Sequence, residues 1–200
     1  MSISSNPRTA DHPVADIFVK RWSPRAFTGE RISDANLNIL FEAARWAPSS
    51  NNSQPWRLLY GHRGAVAFDT ILGLINARNQ RWAQNASVLA ILASKRLHQG
   101  VGQERPTLAR NHSLDAGAAW AYLALQASLS GWAAHAIGGF DHDAARHTLH
   151  VPEEFNIDVA IAIGKPTDAS VLPEDLRARE APNGREKIAA FAHEGWFPAS

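Results

Sequence analysis

Residues 34–56 read DANLNILFEAARWAPSSNNSQPW and join two different kinds of sequence. In the first half, Leu37, Leu40, Phe41 and Ala44 fall at i, i+3, i+4 and i+7, the spacing of a helix with one face in a core. Ser33 is placed to cap that helix, and Asp34 puts a carboxylate in its first turn, where the helix dipole favours one. Pro48 ends it. From there to Pro55 every residue is Pro, Ser, Asn or Gln, and Trp56–Tyr60 (WRLLY) then reads as a strand. A plain helix-to-strand connection needs neither so many amides and hydroxyls nor two fencing prolines. Donors and acceptors on short stems suit the rim of a planar, heteroatom-rich ring, with Trp56 as an apolar wall; an Asx- and Ser-rich turn uses the same residues.

Outward from this stretch, Val14–Lys20 reads as a short helix that Pro24 and Gly29 of RWSPRAFTGE interrupt. Phe68–Asn76 is helical by period and is followed by the polar run ARNQRWAQN. Ser87–Ser94 (SVLAILAS) is a continuous apolar run of strand length, as a strand covered on both faces requires. Lys95–His112 carries Gly100, Gly102 and Pro106 and reads as a loop or flap. The uncharged stretch Ala116–Ala134 is long enough to span a bilayer but is Ala-rich and contains Gln126, so it reads as a buried helix running into a strand, with Ser113 its cap and Gly131 its end. A helix apolar on all sides needs cover on all sides, which points to a subunit interface. Trp132–Ile137 and Asp158–Ile163 are further strands, with a short helix at Asp143–His150 between them. About four strands and five helices in mixed order give an α+β class.

The chain has 200 residues, 45% of them hydrophobic and 20% charged, which suits a single domain. Residues 1–12 read as a flexible start and residues 13–200 as one domain with a C-terminal extension. A formal net charge of +1 gives no global field for nucleic acid. The absence of cysteine excludes disulfides, thiolate metal centres and Cys nucleophiles, so redox work needs a bound cofactor. The N-terminal MSISSNPRTADHP has no apolar signal core, so a cytoplasmic protein with no membrane association is expected. His147 and His150 lie three apart on a short helix and read as solvent-facing rather than as a metal site.

Three segments carry candidate chemistry. Arg21, Ser23 and Arg25 of RWSPR can converge on one anion of phosphate size. Gly138 and Gly139 follow a strand and leave its end open to a flat ligand. Arg177, Arg179 and Arg185 lie in the polar tail, where one of them can complete an anion cage.

Together RWSPRAF, ARWAPSSNNSQPW, NQRWAQNASVLAILA, DAGAAWAYLALQASLSGW, IGGFD, AIGKP and a late REKI, in this order, resemble the nitroreductase family of FMN-dependent oxidoreductases over almost the whole chain. The resemblance implies a homodimer in which each subunit has a mixed central sheet of four to five strands flanked by helices. FMN would lie at the dimer interface. Arg21, Trp22, Ser23 and Arg25 would meet its phosphate and ribityl end. Pro48, Ser49, Ser50, Asn52 and Gln54 would line the ring from the partner subunit. Asn79, Ile137, Gly138 and Gly139 would lie at the ring, and Arg185 at the phosphate. No side chain is implied as catalytic: electrons would pass from NADH or NADPH through flavin N5 to a nitroaromatic, a quinone or a similar small acceptor. A flavin-binding protein without turnover, and a specialised relative that fragments flavin or removes halogen, are the alternatives. Trp22 and Gly138 depart from the residues common in the family, and Asn183 stands where a second basic residue is expected.

Overall fold

In this computed structural model, which describes residues 6–198, the apolar run predicted as a doubly covered strand is the centre of the fold. Strand β2 (Val88–Lys95) pairs antiparallel with β1 (Trp56–His62) on one side and with β6 (Phe155–Gly164) on the other. The edge strand β5 (Ala133–Ile137) pairs antiparallel with β6, giving the order β1-β2-β6-β5. The sheet has the expected number of strands, but every pairing in it is antiparallel, so within one chain it is not mixed in strand direction.

Alternation along β2 and β6 divides the interior into two cores. Leu89, Ile91, Ala160 and Ala162 face one side, with Phe68, Ile71, Leu74, Trp82 and Ala145. Those partners come from helices α3 (Val66–Leu74), α4 (Ala77–Ala83) and α6 (His142–Thr148). Val88, Ala90, Leu92, Ile161 and Ile163 face the other side, with Leu37, Leu40, Ala44, Ala119, Leu123 and Ala127. These belong to α2 (Asp34–Arg45) and α5 (His112–Leu129). Two short helices, α1 (Asp16–Lys20) and α7 (Glu174–Arg177), flank the body.

The helix read from the opening stretch is present as α2, with Ser33 Oγ accepting the Asn36 N–H at 3.2 Å as its cap. Three other readings change. The polar run after residue 76 is helical: Asn76 caps α4 through its side chain, and Trp82 turns fully inward. Ser113 lies inside the first turn of α5, whose N-cap is Asn111. The segment read as a loop at 95–112 contains a small hairpin, β3 (Leu97–His98) with β4 (Thr107–Leu108). Gly131 follows α5 with φ of +72°, the left-handed C-terminal stop its sequence position suggested.

Helix α5 buries one face only. Ala116, Ala119, Leu123 and Ala127 are inside, while Leu114, Tyr122 and Leu129 are exposed. No helix among the described residues is long and apolar enough to cross a membrane.

Ile91 is fully buried at the centre of the sheet. Ile91→Ala is expected to cost ~2–5 kcal/mol in transfer and cavity terms. A lower denaturant midpoint at unchanged slope in equilibrium unfolding checks this.

Candidate functional site

The RWSPR segment leaves α1 as irregular chain, extended at Arg21, before Ala26 and Phe27 enter the core. Beyond it the chain is fastened to the exit of β6. Thr28 N–H donates to the Lys165 carbonyl at 3.0 Å and Thr167 N–H to the Ala26 carbonyl at 3.0 Å, with Phe27 and Pro166 bridged antiparallel. The glycine of AIGKP has a local cause here: a Cβ at Gly164 would lie 2.6 Å from the Phe27 ring.

A buried acid and a half-buried histidine hold this segment. Glu180 follows α7 and is only 7% exposed. Its Oε1 accepts the backbone N–H of Arg25 at 2.6 Å and of Ala26 at 2.8 Å, while Oε2 lies 3.5 Å from Arg25 Nη1. On the other side His135, from β5, places Nδ1 2.9 Å from the Pro24 carbonyl. A carbonyl only accepts, so Nδ1 carries the proton and the ring is the neutral Nδ1–H form. The imidazole packs on Trp82 with ring centroids 4.6 Å apart. Burial pushes its pKa down to about 4 and outweighs the hydrogen bond to Pro24, which acts in the opposite direction.

Arg21 and Ser23, on this segment, line a cavity of about 450 Å³ together with Arg185, His135, Phe18 and Trp120. Arg21 Nη1 also lies 3.4 Å from Ser23 Oγ. Burial, and then the charge of Arg185, lowers the Arg21 pKa from its ordinary value. Arg8 joins the group from the N-terminal segment, donating Nη1 to the Arg21 carbonyl at 2.8 Å and Nε to the Asn183 carbonyl at 2.6 Å. Its pKa is lowered too, first by burial and then by Arg185 and Arg21. Guanidinium groups stay charged at neutral pH. The cavity therefore gathers cationic and hydroxyl donors, and no carboxylate is among its lining residues. Arg25 is not among them either; its guanidinium turns to Glu180. Trp22 is half-buried beside them.

The polar bend at 48–54 is a strained, self-bonded turn. Asn51, Asn52 and Gln54 all have positive φ, 53°, 52° and 46°. A left-handed Gln directly before proline is costly, so the surroundings must hold it. Ser49 Oγ accepts the Gln54 N–H at 3.0 Å, and Gln54 Nε2 donates to Asn52 Oδ1 at 3.1 Å. The buried Asp115 of α5 accepts the Ser50 N–H at 3.1 Å. Part of the amide and hydroxyl supply thus goes to the bend itself. Its outer side, Pro48, Ser49 and Ser50, lines a cavity of about 750 Å³ with Ser113, Asp115 and Gly117.

Asn79 and the glycine pair meet at the end of β5. Asn76 N–H donates to the Gly139 carbonyl at 3.0 Å, and a Cβ at Gly139 would lie 2.8 Å from Asn79 Nδ2 and closer still to Asn76. Gly139 is therefore required by internal packing, whereas a Cβ at Gly138 would enter open space. Ile137 points its side chain into the core and offers only main chain.

Within one chain the two halves of the site stay apart. The arginine cavity lies along the second half of α5 at Trp120–Leu125, and the bend's cavity along the first half at Ser113–Ala118; they share no lining residue. Sequence reading missed Glu180, His135, Asp115 and Arg8. No local pattern marks a buried acid or a half-buried histidine whose partners lie more than a hundred positions away, as those of Glu180 and His135 do.

Comparison with known proteins places this geometry in context. The profile of the Nitroreductase family matches residues 18–75. A solved structure of an oxidoreductase containing FMN is 41% identical, with 100% of both chains covered and a TM-score of 0.93. A Streptomyces coelicolor protein with the provisional name NADH dehydrogenase/NAD(P)H nitroreductase is 27% identical over 83% of this chain and 90% of its own length. A nitroreductase family protein from Streptococcus pneumoniae, at 18% identity, covers 90% of this chain and 98% of its own with a TM-score of 0.71, a likeness of fold.

His135 has a pH consequence. Its folded pKa, about 4, lies below the ordinary 6.5, so between those values the unfolded chain binds a proton that the folded chain does not. Stability is full above about pH 6.5 and falls as the pH drops towards 4, by on the order of 3 kcal/mol from this residue. His135→Asn keeps a side-chain N–H for Pro24 and removes the titration. Denaturant midpoints at pH 7 and pH 4.5 are expected to differ less in that variant than in the wild type.

Proposed function

The chain belongs to the nitroreductase family, and from that premise we propose that a homodimer of it binds FMN and passes electrons from NADH or NADPH to a nitroaromatic, quinone or similar small acceptor. The observation that carries the reading is the cavity in which Arg21, Ser23 and Arg185 converge with no acid among its lining residues. With Arg8 counted, three guanidinium groups gather here; after burial, their mutual repulsion lowers the pKa of Arg8 and of Arg21, and a shared anion would relieve it. A phosphate monoester, with several acceptor oxygens, fits that donor set.

When bound, FMN supplies the hydride and electron chemistry at its N5, which allows nicotinamide and acceptor to use one face in turn. The protein's part is to bind and orient. Arg21, Ser23 and Arg185 hold the phosphate end. Gly138, open to space at the end of β5, leaves room for a flat ring beside Asn79. Ser49, Ser50, Asn52 and Gln54 offer rigid donors and acceptors from the second subunit, their strain and mutual bonds removing most of the ordering cost of contact. The exposed apolar stripe of α5, which runs between the two half-sites, is the surface proposed to pair the subunits. The hairpin within residues 95–112 is proposed to cover the face and shape acceptor choice.

The test is anaerobic stopped-flow mixing of the flavin-loaded protein with NADH and with NADPH, followed by an acceptor panel. Loss of flavin colour with either nicotinamide, recovered on adding acceptor, is expected. A protein that binds flavin but is reduced by neither is a carrier rather than an enzyme. Arg21→Ala is expected to weaken FMN by about tenfold or more through the lost charge-assisted bonds, with riboflavin affected far less. Separate titrations with the two flavins check this.

A further inference from the structure

Glu180 plays no part in a redox reaction and touches no open cavity, yet it is one of four polar or charged side chains buried among the described residues. Burying a carboxylate costs several kcal/mol unless it is fully matched. Here the match is one-sided. Oε1 takes two consecutive main-chain N–H groups, those of Arg25 and Ala26, whereas Oε2, buried without a hydrogen-bond partner among the described residues, has only the Arg25 guanidinium 3.5 Å away. Two main-chain donors and one guanidinium thus hold the protein's own carboxylate as they would a bound anion.

The residue is delivered from far along the chain. Helix α7 is seated by buried Leu172 and Leu176, and Arg81 of α4 grips Asp175 with two bonds of 2.7 and 2.8 Å. The segment it grips is the one that presents Arg21 and Ser23 to the cavity. His135 fixes the same segment through the Pro24 carbonyl. Arg25 is thereby spent as a counter-ion. Its charge offsets Glu180, so the nearby carboxylate does not cancel the field that Arg21 and Arg185 direct into the cavity.

We propose that Glu180 is a positioning residue that fixes the course of the 21–26 segment and so sets the protein's selectivity for a phosphate-bearing flavin over the same flavin without phosphate. The proposal rests on the functional reading above. It makes the phosphate grip depend on a residue that contacts no ligand. It also separates the two arginines of the motif: Arg21 acts on the ligand, Arg25 on Glu180.

The experiment compares wild type, Glu180→Gln and Glu180→Ala in two measurements. Apoprotein is titrated with FMN and with riboflavin by flavin fluorescence, and the Arg25 and Ala26 amides are followed by proton–nitrogen NMR. In the wild type FMN binds more tightly than riboflavin, and both amides lie downfield, as short bonds to a carboxylate require. In Glu180→Ala the FMN constant rises about tenfold or more while the riboflavin constant stays within about twofold, because the lost bonds serve only the phosphate end. Glu180→Gln falls between, since its amide oxygen still accepts while its NH₂ faces Arg25; its folded thermal transition guards against a merely unfolded alanine variant. Both amides move upfield in both variants. Unchanged amides overturn the clamp whatever the flavins do. Amides that move while the preference for FMN persists, or equal weakening of both flavins, overturn the role in selectivity. A wild type that does not prefer FMN overturns the selectivity role together with the functional reading.

Discussion

A strand buried on both faces imposes the rest of the architecture. Val88–Ala93 exposes almost nothing to solvent, so each face of the sheet needs its own layer of helices. One core forms with α3, α4 and α6, the other with α2 and α5. Helix α5 is long and Ala-rich because it lies against the sheet, and small side chains allow close approach there. Leu114, Tyr122 and Leu129 on its far face stay exposed among the described residues. The same layering puts the end of β6 beside the segment that leaves α1 and the end of β5 beside the loop from α3 into α4, and the candidate site draws on both.

At those ends, charge placement rather than shape distinguishes the site. Sixteen of the 20 basic residues are arginine, the lysines being only Lys20, Lys95, Lys165 and Lys187. Most pair with acids or main-chain carbonyls at the surface, as Arg45 does with Glu42 and Arg81 with Asp175. Arg8, itself bonded to main-chain carbonyls, and Arg21 bring their charges towards Arg185, and Arg25 balances a buried acid. Such an arrangement leaves like charges close together in the free chain. It agrees with the strained bend at 51–54, where left-handed Asn and Gln residues hold polar groups outward from a turn that glycine would make more easily.

Much of the fold was legible because its signals are local. The α2 face, the apolar β2 run and the Gly131 stop each follow from a few adjacent residues. The segments that misled are those in which a polar sequence conceals a packing role. ARNQRWAQN forms α4 because a single buried tryptophan anchors it, and polar residues on its outer side hide that period. Half the site was legible for the same reason: Arg21 and Ser23 lie in one short motif, and the bend at 48–54 in another. The supports were not. Asp115 meets Ser50 across 65 positions and Glu180 meets Arg25 across 155, separations at which only the folded chain supplies the pairing.

The central claim is that the arginine cavity of one chain and the polar bend of another complete one flavin site. A hybrid dimer tests it most directly. One chain carries Arg21→Ala, the other Asn52→Ala with Gln54→Ala, and the hybrid is isolated through two different affinity tags. A shared site leaves one intact combination, the bend of the first chain with the arginines of the second, so the hybrid should hold one tightly bound FMN per dimer. A hybrid that holds none, with both parent homodimers equally empty, would contradict the account.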